Sequence, residues 1–176
     1  MPIYSEEELA EALAECALVL DPDLPETHVA IANVYLNRGD HGRAIESYRE
    51  AVDRDPNNAY IWCQLGTVCL MEDPTDVAGA EMAARESIRS QPGYYIGHRI
   101  LGRALHEQGR LDDAVAAFET GLQLQPADEA SYRGLAFVHL VQGNEGAALA
   151  RVEELRGLGE TPAVLVFIGE VHAARG

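Results

Sequence analysis

Four prolines fall at nearly fixed intervals along the chain: Pro22, Pro56, Pro92 and Pro126, at steps of 34, 36 and 34 residues. A proline ends a helix readily and cannot sit inside one without breaking it. A proline at every 34th to 36th position therefore divides the chain into segments of one length, each long enough for two short helices and a turn. One helix pair copied along a chain cannot bury its apolar faces alone and must stack on its copies. The ladder predicts an all-α solenoid of antiparallel helix pairs before any side-chain chemistry is considered.

Aligned on the prolines, the segments repeat in detail. Residues 59–94 carry Trp62, Leu65, Gly66 and Cys69, then Ala80 and Ala84, then Pro92. Residues 25–58 carry His28, Ile31, Ala32 and Tyr35, then Ala44 and Tyr48, then Pro56. Residues 95–128 carry His98, Leu101, Gly102 and Leu105, then Ala114 and Phe118, then Pro126. Residues 129–161 carry Tyr132, Leu135, Ala136 and His139, then Ala148 and Val152, with the closing proline displaced to Pro162. The small residues stand where two helices must approach closely, with Leu65 and Leu101 supplying the apolar stripe beside them. Gly39, Gly109 and Gly143 fall at the turn inside a pair, where a left-handed C-cap suits glycine. The middle repeat replaces that glycine with Leu70–Asp76, two residues longer. There Asp73 is the expected N-cap, with Pro74 and Asp76 in the first turn. The extra residues are expected to form a local bump.

This register resembles the tetratricopeptide repeat (TPR) family, whose signature is W-x2-L-G-x2-Y, then A-x3-F, then P. The resemblance covers nearly the whole of residues 1–176, read as one array. A half-repeat at 5–24 precedes four repeats at 25–58, 59–94, 95–128 and 129–161, and a half-repeat at 162–176 follows. About ten helices are expected, in a right-handed superhelix. In the first half-repeat, Ala10, Ala14 and Ala17 occupy positions of contact, and Glu6-Glu7-Glu8 suits a helix N-terminus.

Composition narrows the function. The formal charge is −16 with 13 basic residues, all arginine, which repels phosphate backbones and anionic lipid, so neither nucleic acid nor a membrane is an expected partner. The arginine-only, alanine-rich usage suggests a GC-rich bacterial genome. Cys16, Cys63 and Cys69 form no metal or disulfide spacing and read as small buried thiols in a reducing compartment, the cytoplasm. The first residues carry no basic, apolar leader. No phosphate loop, zinc-protease or serine-hydrolase motif occurs, and the histidines occupy packing positions in different repeats, so no enzyme, cofactor or metal site is expected.

What remains is a binding surface. The resemblance implies a concave face made by the first helix of each pair. Helical spacing places Val29, Asn33, Leu36 and Asn37 there, then Tyr60, Cys63, Thr67 and Leu70. Arg99, Arg103 and His106 follow, and then Arg133, Phe137 and Leu140. Arg99 and Arg103 stand one turn apart, and Arg133 is the 34-residue equivalent of Arg99. The three arginines, flanked by Tyr60 and Phe137, suit a peptide with acidic and apolar side chains or a free carboxylate. The competing reading pairs them with local acids such as Glu107 or Glu129. Two family specialisations do not fit. In the carboxylate clamp for chaperone tails only Asn33 matches, with Val29, Gln64, Ile96 and Ile100 in the other places. The asparagine ladder of O-GlcNAc transferases is replaced by Ala30, Gln64, Ile100 and Gly134. The leading expectation is therefore a protein-interaction scaffold that holds a partner segment. The alternative is a docking segment of a larger enzyme, and the unpaired end helices allow end-to-end self-association.

Overall fold

The computed structural model describes residues 21–71 and 75–159 continuously, and positions 12, 16, 18, 19, 169 and 171 singly. Contacts divide the chain into two compact units, Met1–Pro92 and Gly93–Gly176. Among the described residues the secondary structure is helical throughout, with eight complete helices. The first and last of the expected ten lie outside the described residues apart from the single positions. So do Asp73, Pro74 and Pro162.

The first unit holds α1 (Pro25–Asn37), α2 (His41–Arg54), α3 (Ala59–Cys69) and α4 (Val77–Ser90). α1 packs on α2, α2 on α3, and α3 on α4. The second unit holds α5 (Tyr95–Glu107), α6 (Leu111–Leu124), α7 (Glu129–Val141) and α8 (Glu145–Leu158), packed in the same succession, with α5 also reaching α7. The anticipated small residues are fully buried: Ala32, Ala44, Ala80, Ala84, Ala114, Ala136 and Ala148. Their size lets paired helices approach closely enough for Tyr48 and Phe118 to fill the space between repeats, both essentially without exposure. Val171 is also buried, against Ala136, Ala148, Val152 and Leu155.

The turns follow one design. Gly39, Gly109 and Gly143 take φ of 72° to 73°, the left-handed region that admits glycine most cheaply. The next residue then bonds back to the helix: Asp40 N–H to the Tyr35 carbonyl at 2.9 Å, Arg110 to Leu105 at 2.9 Å and Asn144 to His139 at 2.8 Å. In the longer middle turn the Asp76 N–H reaches Cys69, the equivalent acceptor, at 3.0 Å. The same bond thus closes this turn although the sequence between its ends is two residues longer. Asp76 is itself the N-cap of α4, its carboxylate accepting from Gly79 N–H at 2.9 Å. It is not the first-turn acid that the sequence suggested, and the cap expected at Asp73 is moved to Asp76 because only Asp76 aligns with Asp40.

The prolines have a second role. His28 Nε2 lies 2.8 Å from the Pro22 carbonyl, and Trp62 Nε1 donates to the Pro56 carbonyl at 2.9 Å. Each pair is six residues apart, and each bond ties the first helix of a repeat to the chain entering it. Histidine can stand where the signature has tryptophan because both present a ring nitrogen at that point.

Candidate functional site

In the second unit α5 and α7 present their exposed residues beside the Phe118 ring of α6. Arg103, His106 and Glu107 come from α5, and Ala130, Arg133, Gly134 and Phe137 from α7. Together with Phe118 they line a cleft of about 390 Å³. That volume lies in the range of small ligand pockets and accommodates one or two side chains.

Two glycines, of which Gly134 lines the cleft, pack against the Phe118 ring. A Cβ on Gly102 would stand 2.9 Å from the Phe118 ring, and one on Gly134 would stand 2.6 Å from its Cε1. Both distances are too short for carbon atoms in contact. The ring therefore occupies space that any other residue at these positions would fill, and it is buried against the backbone of both glycines. The equivalent place in the first unit is built differently. Tyr48 stands where Phe118 does, and its hydroxyl donates to Asn33 Oδ1 at 2.8 Å and also bonds Gln64, the equivalent of Gly134. Burial, partly offset by the Gln64 bond, raises the Tyr48 pKa.

The three expected arginines do not act together. Arg99 donates from its guanidinium to Asp128 Oδ1 at 2.9 Å, and it lies 5.9 Å from the centre of the Tyr95 ring. Asp128 is buried, caps α7 through Ser131 N–H at 3.2 Å and accepts from the Ser131 hydroxyl at 2.6 Å. Arg99 is thus an anchor between α5 and α7 rather than a lining residue of the cleft. The pairing with an acid is real for this arginine, although its partner is Asp128 and not Glu107 or Glu129. Arg103 and Arg133 are exposed and line the cleft. Neighbouring atoms and the Arg99 charge lower the Arg103 pKa, against a smaller opposing effect of Glu107. A guanidinium remains charged at any physiological pH even so. His106 Nδ1 lies 3.5 Å from Glu107 Oε1.

The remaining expected residues lie in the first unit. Asn33, Asn37 and Tyr60 are exposed, with Asn33 engaged by Tyr48. Cys63 is a correction: it is 1% exposed and its Sγ lies 3.1 Å from the Ser87 hydroxyl, so it is a packing residue and no part of a binding face. Thr67 is half-buried and spends its hydroxyl on the Cys63 carbonyl at 2.8 Å. Of the cysteines, Cys63 and Cys69 are buried as expected, whereas Cys16 is exposed. Phe118 and Gly134, which shape the cleft floor, were not anticipated as site residues. The available signal was a glycine in the middle of a helix, which calls for a packing reason.

Among the described residues, no three or more His, Cys, Asp or Glu side chains gather as metal ligands would. No helix there is long and apolar enough to cross a membrane.

The profile of the TPR repeat matches residues 32–71 and 102–143, so the chain carries tetratricopeptide repeats in both units. It is 28% identical over 107 residues to small glutamine-rich tetratricopeptide repeat-containing protein 2 of Mycosarcoma maydis, covering 61% of this chain and 30% of that protein. It is 28% identical over 124 residues to stress-induced-phosphoprotein 1 of Caenorhabditis elegans, covering 69% of this chain and 38% of that one. The chain thus spans well under half the length of these relatives. In fold it is similar to the type IV pilus biogenesis factor PilW, with a TM-score of 0.82 at 23% identity over 97% of this chain and 79% of that one. It is also similar to the first TPR of Spaghetti bound to the HSP90 peptide SRMEEVD, with a TM-score of 0.63 at 19% identity over 68% of this chain and 93% of that one. The fold class is that of the all-α TPR solenoids.

Proposed function

We propose that this protein is an interaction scaffold and that the cleft between α5 and α7 holds a segment of a partner protein bearing acidic and apolar side chains. The observation that carries the reading is the pair Arg103 and Arg133 lining a cleft beside the exposed Phe137 ring, in a chain whose formal charge is −16. Local positive charge against a strongly negative background selects an anionic ligand by attraction at the cleft and repulsion elsewhere. The fold likeness to a TPR bound to a peptide containing Glu-Glu-Val-Asp is consistent with it. The proposal includes a cytoplasmic location, which suits a chain with an exposed free cysteine.

The test is isothermal titration of acidic peptides against the wild type and the Arg103→Glu/Arg133→Glu double variant. Each charge-assisted bond is worth about 1.5–3 kcal/mol, so reversing both charges is expected to weaken binding by at least a hundredfold. Raising the salt concentration is expected to weaken wild-type binding as well. Affinity indifferent to the double reversal removes the cleft from the function.

A further inference from the structure

The geometry points to an aromatic anchor: a single aromatic side chain of the partner packs against Phe137 over the Gly134 backbone in the 390 Å³ cleft, while acidic neighbours on the same segment reach Arg103 and Arg133. This rests on the reading above and goes beyond it, because it assigns the specificity to one repeat junction and one class of residue.

Three features lead there. First, position 134 is glycine, so α7 puts no side chain into the cleft there and its backbone forms the floor over the buried Phe118 ring. In the first unit the homologous ring is a tyrosine whose hydroxyl is already held by Asn33 and Gln64. There the Gln64 side chain takes the place that Gly134 leaves without one. Second, Phe137 is 37% exposed, and it occupies the column of Asn33, Thr67 and Arg103, so this junction alone sets a phenyl ring at that place among the four repeats. An exposed ring bordering a small cleft favours a second ring in edge or offset contact. Third, guanidinium groups at the cleft favour an aromatic ring over an aliphatic side chain of equal area, because they also interact with its face. Charge complementarity then sets the flanking residues: carboxylates beside the ring pair with the arginines, and basic residues there are repelled.

The probes are two blocked pentapeptides, acetyl-Glu-Asp-Phe-Glu-Asp-amide and the same peptide with alanine for phenylalanine, titrated into the full chain. Burying the ring is expected to make the first bind about ten- to a hundredfold more tightly. Ala130 is exposed on α7 at the cleft, so Ala130→Trp fills the cleft without touching the core and is expected to abolish the preference. Phe137→Ala is expected to reduce it. Circular dichroism checks that both variants fold. If the two peptides bind equally and both lose affinity on the double arginine reversal, the anchor is overturned while the scaffold reading stands. A phenylalanine preference that survives Ala130→Trp also overturns the anchor, since the ring then sits elsewhere. If neither peptide binds at roughly millimolar concentration, both readings fall.

Discussion

Asp128→Ala is the substitution through which the assembly of the cleft is most directly tested. The carboxylate accepts three hydrogen bonds, from Ser131 N–H, the Ser131 hydroxyl and Arg99, and its side chain is only 7% exposed. Losing the N-cap costs about 1 kcal/mol. The bond from Arg99 belongs to the charged class, about 1.5–3 kcal/mol when fully buried. Arg99 keeps 25% exposure, so after the substitution it regains water, and its share falls to about 1 kcal/mol. With the Ser131 hydroxyl also deprived of its acceptor, the total is about 2–4 kcal/mol. Asp128→Asn retains a good capping side chain and loses the charge, for about 1–2 kcal/mol. Urea unfolding followed by far-ultraviolet circular dichroism measures both. A double-mutant cycle with Arg99→Ala isolates the pair and is expected to give a coupling of about 1 kcal/mol. Because α7 carries Ala130, Arg133, Gly134 and Phe137, the alanine variant is also expected to bind acidic peptide more weakly, although Asp128 lies outside the cleft lining. An Asp128→Ala loss under about 0.5 kcal/mol with no coupling to Arg99 would refute the anchor.

Gly134→Ala places a Cβ inside the space of the Phe118 ring, so its gain in helix propensity of about 1 kcal/mol is outweighed by overpacking of about 1–3 kcal/mol. Gly146→Ala is the control: nothing lies within 4 Å of its Cβ, and a small gain, about 0.5 kcal/mol, is expected in the same unfolding assay. Tyr48 gives a pH signature. Its pKa is raised in the folded chain, so the unfolded tyrosine loses its proton first, and stability is full below the ordinary tyrosine value of about 10 and falls as pH rises beyond it. The wild type is expected to lose stability above that pH more steeply than Tyr48→Phe, by up to about 1.4 kcal/mol per pH unit. Parallel slopes in the two proteins would contradict the burial of that hydroxyl.

Much of the fold is legible in the sequence because its determinants are local. A glycine at φ of 72° to 73° and an alanine at a helix crossing are each forced by backbone or contact sterics at their own positions. Asp76 shows where local reasoning stops. Asp73, Pro74 and Asp76 all obey capping preferences, and propensity alone does not rank them. The choice is made by the bond from Asp76 N–H to the Cys69 carbonyl, which reproduces Asp40 to Tyr35 across a longer loop. The fixed six-residue step from proline to the next signature ring is equally present in the sequence at Pro22–His28, Pro56–Trp62, Pro92–His98 and Pro126–Tyr132. At Pro22–His28 and Pro56–Trp62 it carries a hydrogen bond, but spacing alone does not say which atoms meet.

The site was legible by column rather than by residue. Counting from the signature position of each first helix, one residue on gives Val29, Cys63, Arg99 and Arg133, and five on gives Asn33, Thr67, Arg103 and Phe137. The second column is half-buried at Thr67 and exposed at the other three positions. The first runs along the seam between helices, so a short side chain there is covered and a long one reaches out past its neighbours. Cys63 disappears into the core on that account, and Arg99 extends only as far as the buried Asp128 that caps α7. Helical periodicity assigns both columns to one face because it sees direction and not depth. Depth depends on what the second helix of the pair and the following repeat put opposite each position, and that is also why Gly134 mattered. Read along α7 it is a weak helix former; read across to Phe118 it is the close approach that lets the ring be buried while a cleft stays open between two arginines.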